Sequence, residues 1–225
     1  MFSRRQNLRD LDPRRAKKAT PDQTPSAQGV ATRLLGEALS GFEERCEKLT
    51  VVDLGPGDAN TVNFFSQLDC PVSLVFTDCS DVLADIQPAE DGQTPEFLDI
   101  VKALREGMAL PLDHDQPKPI DVLLVWDYLH LFDLQALEAL STVLQPHVHS
   151  DTRGFGFGTL HNHQALPRQH YGILGADQLS IKADEAATLP HCHSQQTLNE
   201  YFLCLKISRG TLLQQGILEL YFSAA

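Results

Sequence analysis

Leu49-Thr50-Val51-Val52-Asp53-Leu54-Gly55-Pro56-Gly57-Asp58-Ala59-Asn60-Thr61 is the stretch that decides the fold. Leu49 to Asp53 is short, rich in β-branched residues and closed by a Gly-Pro-Gly turn, which marks a buried strand feeding a tight loop. Val62, Phe65 and Leu68 then recur at helical spacing, so strand, glycine turn and helix open a βαβ unit. Such a turn brings backbone N–H groups up to a ligand, and its glycines remove the side chains that would hold the ligand off. The class of ligand follows from two further positions. A dinucleotide loop has a third glycine where this chain has Asn60, and it sets no carboxylate such as Asp53 against an incoming pyrophosphate. A cationic or zwitterionic ligand suits Asp53 better.

The unit repeats along the chain. Val72 to Thr77 is a second strand, ending in Asp78, with Ser80 placed to cap a helix through Ile86. Phe97, Ile100, Val101 and Leu104 keep helical spacing, and Met108 to Leu112 is the one candidate for a third strand. Ile120 to Trp126 is an apolar run of strand length followed by Asp127. Leu134, Leu137, Leu140 and Leu144 give a helix stopped at Gln145-Pro146. Arg153 to Leu160 alternates aromatic residues with glycine, as a strand packed under neighbouring backbone does. At the end, Thr197 to Phe202 reads as helix. Leu203 to Ser208 and Gly216 to Phe222 read as strands joined across Arg209-Gly210-Thr211, with no room for a crossover helix, hence antiparallel. Ahead of the first strand, Val30, Leu34, Ala38, Phe42 and Cys46 have helical spacing.

Asp53, Gly55, Gly57 and Ala59 resemble motif I of the class I S-adenosylmethionine-dependent methyltransferases, an acidic residue followed by Gly-x-Gly-x-Gly/Ala. The resemblance spans residues 27 to 225. It includes Asp78 at the end of the second strand, the run Asp121 to Phe132 with the Leu144-Gln145-Pro146 turn, and the terminal hairpin. It implies an α/β fold, a three-layer αβα sandwich around a mostly parallel seven-stranded sheet with a C-terminal antiparallel hairpin strand. The implied cofactor is S-adenosyl-L-methionine, held by Asp53, Gly55, Pro56, Gly57, Asp78 (on the ribose), Cys79, Asp113 (on the adenine) and Trp126. The chain departs from the family where His147-Val148 replaces the glycine pair after the proline. It also departs where Trp126-Asp127-Tyr128-Leu129 replaces the Asn/Asp-Pro-Pro-Tyr/Phe segment used for transfer to base nitrogens.

Asp127, Tyr128 and His161 are the candidate catalytic residues, because they follow the fourth and fifth strands on the rim where α/β sheets keep their sites. Each has a plainer reading, Asp127 as a helix cap and His161, like His163, as a solvated loop residue. The segment Gln164 to Pro190, with Arg168, His170 and Tyr171, is expected over the substrate mouth. Three His-x-His pairs, 147/149, 161/163 and 191/193, lack the companion motifs of metal centres, so no metal is expected. Three functions stay open: methyl transfer to a small molecule or a protein side chain, a catalytically silent binding protein on the same fold, and an NAD-dependent oxidoreductase. Asp53, Asn60 and the hairpin speak against the last.

The chain has 225 residues, enough for one α/β core and too few for two. Seven Arg and Lys against two Asp give the first 20 residues a charge of +5, leaving −17 on the remainder. So acidic a body repels phosphate backbones, which disfavours nucleic acid as the substrate. Residues 1–25 read as a basic, unstructured tail and 26–225 as the domain. Five dispersed cysteines and no apolar run of membrane-spanning length indicate a reduced, cytoplasmic protein. The tail has no periodic apolar face with which to pack. Removal of residues 1 to 24 is therefore expected to leave the melting temperature unchanged in scanning calorimetry, and a large drop would show that the tail docks on the acidic body.

Overall fold

The computed structural model describes residues 29–41, 48–80, 82, 86, 95–160, 163–213 and 216–224. In chain order the strands are β1 (Gly29–Ala31), β2 (Leu49–Asp53), β3 (Val72–Phe76), β4 (Leu112–Asp113), β5 (Gln116–Pro117), β6 (Val122–Trp126), β7 (Arg153–Thr159), β8 (Leu166–Gly175), β9 (Gln178–Thr188), β10 (Lys206–Leu212) and β11 (Ile217–Ser223). The helices are α1 (Leu35–Leu39), α2 (Ala59–Ser66), α3 (Phe97–Gly107), α4 (Tyr128–Leu131), α5 (Leu134–Leu144) and α6 (Gln195–Tyr201).

The main sheet has the order β10-β11-β7-β6-β2-β3. β3, β2, β6 and β7 run parallel, and β11 enters antiparallel between β7 and β10. Successive side chains of each strand feed opposite faces. Val52, Leu123, Val125, Leu220 and Phe222 join α3, α5 and α6 in one core, while Val51, Leu124, Trp126, Phe155 and Phe157 join α1 and α2 in the other. Burial on both faces is why the parallel strands read as continuous apolar runs. Among the described residues no helix is long and apolar enough to cross a membrane.

Three expectations are corrected. The main sheet has six strands among the described residues rather than seven. The third-strand candidate leaves α3 as a loop, with Leu110 N–H on the Met108 carbonyl and Ala109 N–H on Thr77 Oγ1. It then forms only the two-residue hairpin β4–β5 across His114 and Asp115, both at positive φ. Pro111 and Pro117 lack the N–H that a longer ladder needs. Second, Val30 lies in a strand rather than a helix, paired with Leu179. Third, Arg209-Gly210-Thr211 is the middle of β10 and not a turn, since all three pair with β11.

The segment Gln164 to Pro190 contains the long hairpin β8–β9. With β1 it forms a second, three-stranded sheet against α2. Thr61 Oγ1 accepts the Ile173 N–H at 3.1 Å, Asn60 Nδ2 donates to Ser180 Oγ, and Lys182 reaches Asp58 at 3.3 Å. Gly172 lies so close that a Cβ there would fall 2.2 Å from Asp58 Oδ1.

Helix α1 begins at Leu34, whose side chain offers no cap. Glu219 on β11, fully buried, serves instead: its carboxylate accepts the N–H groups of Arg33 at 2.9 Å and Leu34 at 3.2 Å. Hydrogen bonds to a charged acceptor contribute about 1.5–3 kcal/mol each. Glu219→Ala should therefore lower the unfolding free energy by about 2 kcal/mol or more in urea denaturation, and an unchanged midpoint would assign the attachment of α1 to apolar contacts alone.

Candidate functional site

The order of the main sheet reverses at β2, with β3 on one side and β6 on the other. The crevice outside the carboxyl ends of β2 and β6 is therefore the switch point where open α/β sheets bind ligands. Asp53, Asp78 and Asp127 all stand at this rim, just after or at the ends of β2, β3 and β6. The turn between Asp53 and α2 is held by its own residues. Asp53 Oδ1 accepts the Gly55 N–H at 2.8 Å, and Asp58 caps α2 by accepting the Asn60 N–H. Gly57 has φ +86, and a Cβ there would meet the Phe76 ring at 3.1 Å. Glycine is needed at Gly57 for both the backbone and the space.

Trp126 is the feature that sequence alone places but does not explain. A bulge on β6 sets Leu124 opposite Phe155 and Trp126 opposite Gly156, and Trp126 adopts φ +53, a left-handed conformation rare for a bulky residue. Gly156 permits this, since a Cβ there would lie 2.9 Å from the Trp126 carbonyl. The buried indole donates its N–H to Asp53 Oδ1 at 2.5 Å. Its Cδ1 lies 3.3 Å from where a Gly55 Cβ would be. Tyr171, carried in by β8, stacks on it at 4.9 Å between centroids and 4° between planes, and on Phe157 at 5.2 Å and 22°.

Burial dominates the electrostatics. It pushes the Asp53 carboxyl up to about 6 against the Trp126 and Gly55 donors. It pushes Asp127 up to about 7, against the backbone N–H groups of Asp127 and Gln169 and the charge of Arg168. Asp78 is exposed. Burial acts against it, but the Ser80 hydroxyl and N–H, the Tyr128 hydroxyl and Arg168 together hold its carboxyl below the ordinary value. Asp78 Oδ1 accepts Ser80 N–H and Tyr128 O–H, each at 2.9 Å.

The structure thus gathers Asp53, Gly55, Gly57, Asp78, Trp126, Asp127 and Tyr128 at one rim. Pro56 is exposed in the turn. Cys79 directs its side chain into the core, its thiol pushed up to about 12 by burial, and its N–H is already on the Leu54 carbonyl. Asp113 stands in the β4–β5 hairpin, off the main sheet. His161 lies outside the described residues, and His163 is exposed. His130, beside Tyr128, is buried with no partner for Nδ1 among the described residues, and burial lowers it to about 4, with His193 and His191 adding to the effect. Among the described residues no group of three His, Cys, Asp or Glu is placed to hold a metal.

A glycine turn at the switch point of a parallel sheet, closed at its far edge by an antiparallel hairpin, decides the fold. The chain is a mixed α/β fold whose mostly parallel sheet carries the antiparallel edge hairpin expected of the class I methyltransferase fold. No protein-family profile matches its sequence, and no curated protein does. Solved structures similar to it include the glycopeptide N-methyltransferase MtfA complexed with S-adenosylmethionine, at 11% identity over 91% of this chain and 100% of that one, with a TM-score of 0.42. A TehB-like methyltransferase from Corynebacterium glutamicum is 10% identical over 85% and 87% of the two chains, TM-score 0.42. The mitomycin 7-O-methyltransferase MmcR is 13% identical over 85% of this chain and 52% of its own, TM-score 0.43. The site is read from the chain's own residues.

Asp127 gives a pH test of that site. Its neutral form is favoured in the folded state, so the stability this confers is present below the ordinary carboxyl value near pH 4. It is lost as pH rises to about 7, by about 1.4 kcal/mol for each pH unit between the two values. Asp127→Asn removes this dependence. Between about pH 4.5 and 7.5 the wild type should lose stability relative to the variant in urea denaturation, Asp53 affecting both alike, and parallel curves would show Asp127 to be solvated.

Proposed function

We propose that this chain is an S-adenosylmethionine-dependent methyltransferase acting on a small molecule or a protein side chain. The carrying observation is the pair of buried carboxylates, Asp53 and Asp127, at the ends of adjacent parallel strands beside the glycine turn. Burial pushes the two carboxyls up to about 6 and about 7, against the charge of Arg168 at Asp127, and a bound cation would favour the ionised form of both. S-adenosylmethionine brings a sulfonium and an ammonium to such a place, so the donor chemistry fits. Asp53 and the backbone of Gly55 to Gly57 would hold its amino-acid part, and Asp78 would accept from the ribose hydroxyls. The cofactor, when bound, supplies an electrophilic methyl group. The chain's own part is to orient the acceptor and exclude water, which accounts for most of the rate in such in-line displacement. Asp127, ionised above about pH 7, accepts the acceptor's proton.

A second reading, a catalytically silent binding protein on this fold, is favoured by one observation: Trp126 packs against Gly55 and is covered by Tyr171, so the chain's own rings crowd the turn. Transfer of labelled methyl to components of a metabolite extract separates the two readings.

S-adenosylhomocysteine should raise the melting temperature, as any ligand selective for the folded state does. Asp78→Ser keeps an oxygen for the Ser80 N–H but loses the carboxylate, so it should fold normally and bind S-adenosylhomocysteine at least about tenfold more weakly, one decade being about 1.4 kcal/mol. Calorimetric titration showing wild-type affinity would leave Asp78 as a helix cap only.

A further inference from the structure

Tyr171 is placed as a ligand would be. Its ring comes from β8 of the second sheet, whereas Trp126 and Phe157, which it stacks on, rise from adjacent strands of the main sheet. Trp126 and Phe157 are buried, at 1% and 5% exposure, and braced by edge contacts to Phe155; Tyr171 is only half-buried. The wall is fixed, and the occupant is the one ring of the three that keeps partial exposure, although its hydroxyl is buried. The wall also carries the strain, since Trp126 holds φ +53, and strained backbone of this kind persists where the surroundings over-determine it, as at ligand clamps. Asp127 follows Trp126 directly in the chain, and its charge bears on the Tyr171 hydroxyl, whose proton burial already holds well above the ordinary range.

We infer that Tyr171 occupies the acceptor subsite, and that the methyl acceptor is a planar aromatic compound with a ring hydroxyl that takes its place against Trp126 and Phe157. The inference rests on the methyltransferase reading above. The bonds that hold the hairpin, at Ile173 and Ser180 on one side of Tyr171 and at Lys182 on the other, do not involve its side chain, so the ring rotates out while the hairpin stays attached. In the reaction the acceptor's hydroxyl proton passes to the Asp127 carboxylate. The oxygen's lone pair forms the new C–O bond to the methyl carbon, and the C–S bonding pair leaves with sulfur. The products are an aryl methyl ether and S-adenosylhomocysteine.

Trp126 is the chain's one tryptophan, so its indole N–H gives a single signal in a proton–nitrogen correlation spectrum. The full chain is titrated with p-cresol, p-xylene and 4-methylcyclohexanol. p-Cresol should shift the indole signal saturably in the wild type, and Tyr171→Ala should bind it at least about tenfold more tightly, because the competing ring is gone. p-Xylene should bind more weakly than p-cresol, and the saturated alcohol not at all. With labelled S-adenosylmethionine the variant should yield 4-methylanisole. Tyr171→Leu repeats the titration if the alanine variant does not fold. Equal binding of p-cresol and p-xylene, no response in the wild type, or binding without methylanisole from a variant that also binds the cofactor would each overturn the inference. A parallel titration with S-adenosylhomocysteine keeps the outcomes apart: cofactor binding without a cresol response sinks the acceptor assignment alone, and loss of cofactor binding sinks the reading beneath it.

Discussion

The rest of the site depends on the carboxylate of Asp53, buried at the end of β2 and held by the indole of Trp126 and the N–H of Gly55. A buried charge destabilises the fold unless it is solvated by donors or neutralised. Two donors on one oxygen are not enough here, and the group rises to about 6. Those same donors fix the turn on one side and the tryptophan on the other. The indole's direction in turn requires the bulge in β6, the left-handed backbone at Trp126 and the missing side chain at Gly156. One acidic residue at a strand end thus constrains two neighbouring strands and the loop between strand and helix.

The second sheet belongs to the same arrangement. Without β8 and β9, the apolar face of α2 and the ring of Trp126 would face water. With them, Ile173 and Leu179 complete the core on that face, and Gly172 brings backbone against the cap of α2. The exposed pair Lys182–Asp58 adds little on its own, as surface ion pairs generally do. Apolar burial through Ile173 and Leu179 and the hydrogen bonds at Ile173 and Ser180 hold the hairpin down.

What was legible in the sequence was local. β2, the glycine turn, α2 and β6 could be placed because strand and helix periodicity and a Gly-Pro-Gly break are written in consecutive residues. Asp53, Asp78 and Asp127 could be placed because they end strands. The hairpin β8–β9 was not legible as strands: Pro167, Gly172 and Gly175 interrupt the first of them, and its pairing partner β1 is over a hundred residues away. Tyr171 was expected near the mouth, yet its contact with Trp126 spans 45 positions and leaves no periodic trace. The bulge that turns Trp126 is likewise a property of two strands together. The third strand failed for a local reason, prolines that interrupt the ladder, and the terminal turn was misplaced because a glycine inside a paired strand resembles a turn.

The hairpin also answers the electrostatics of the rim. Asp53, Asp58, Asp78 and Asp127 concentrate negative charge around one crevice, and the cations that meet it, Arg168 beside Asp78 and Asp127 and Lys182 on Asp58, both come from β8–β9. That hairpin therefore brings an aromatic ring with a hydroxyl to the buried wall and positive charge to the carboxylates. These are the two kinds of group that a reacting pair of aromatic acceptor and sulfonium cofactor would bring to the same rim. A core that needed only apolar filling at Trp126 would be served by leucine or phenylalanine, with no arginine three residues earlier. The combination of ring, hydroxyl and cation on one strand is what makes the closed structure read as a site occupied by its own chain.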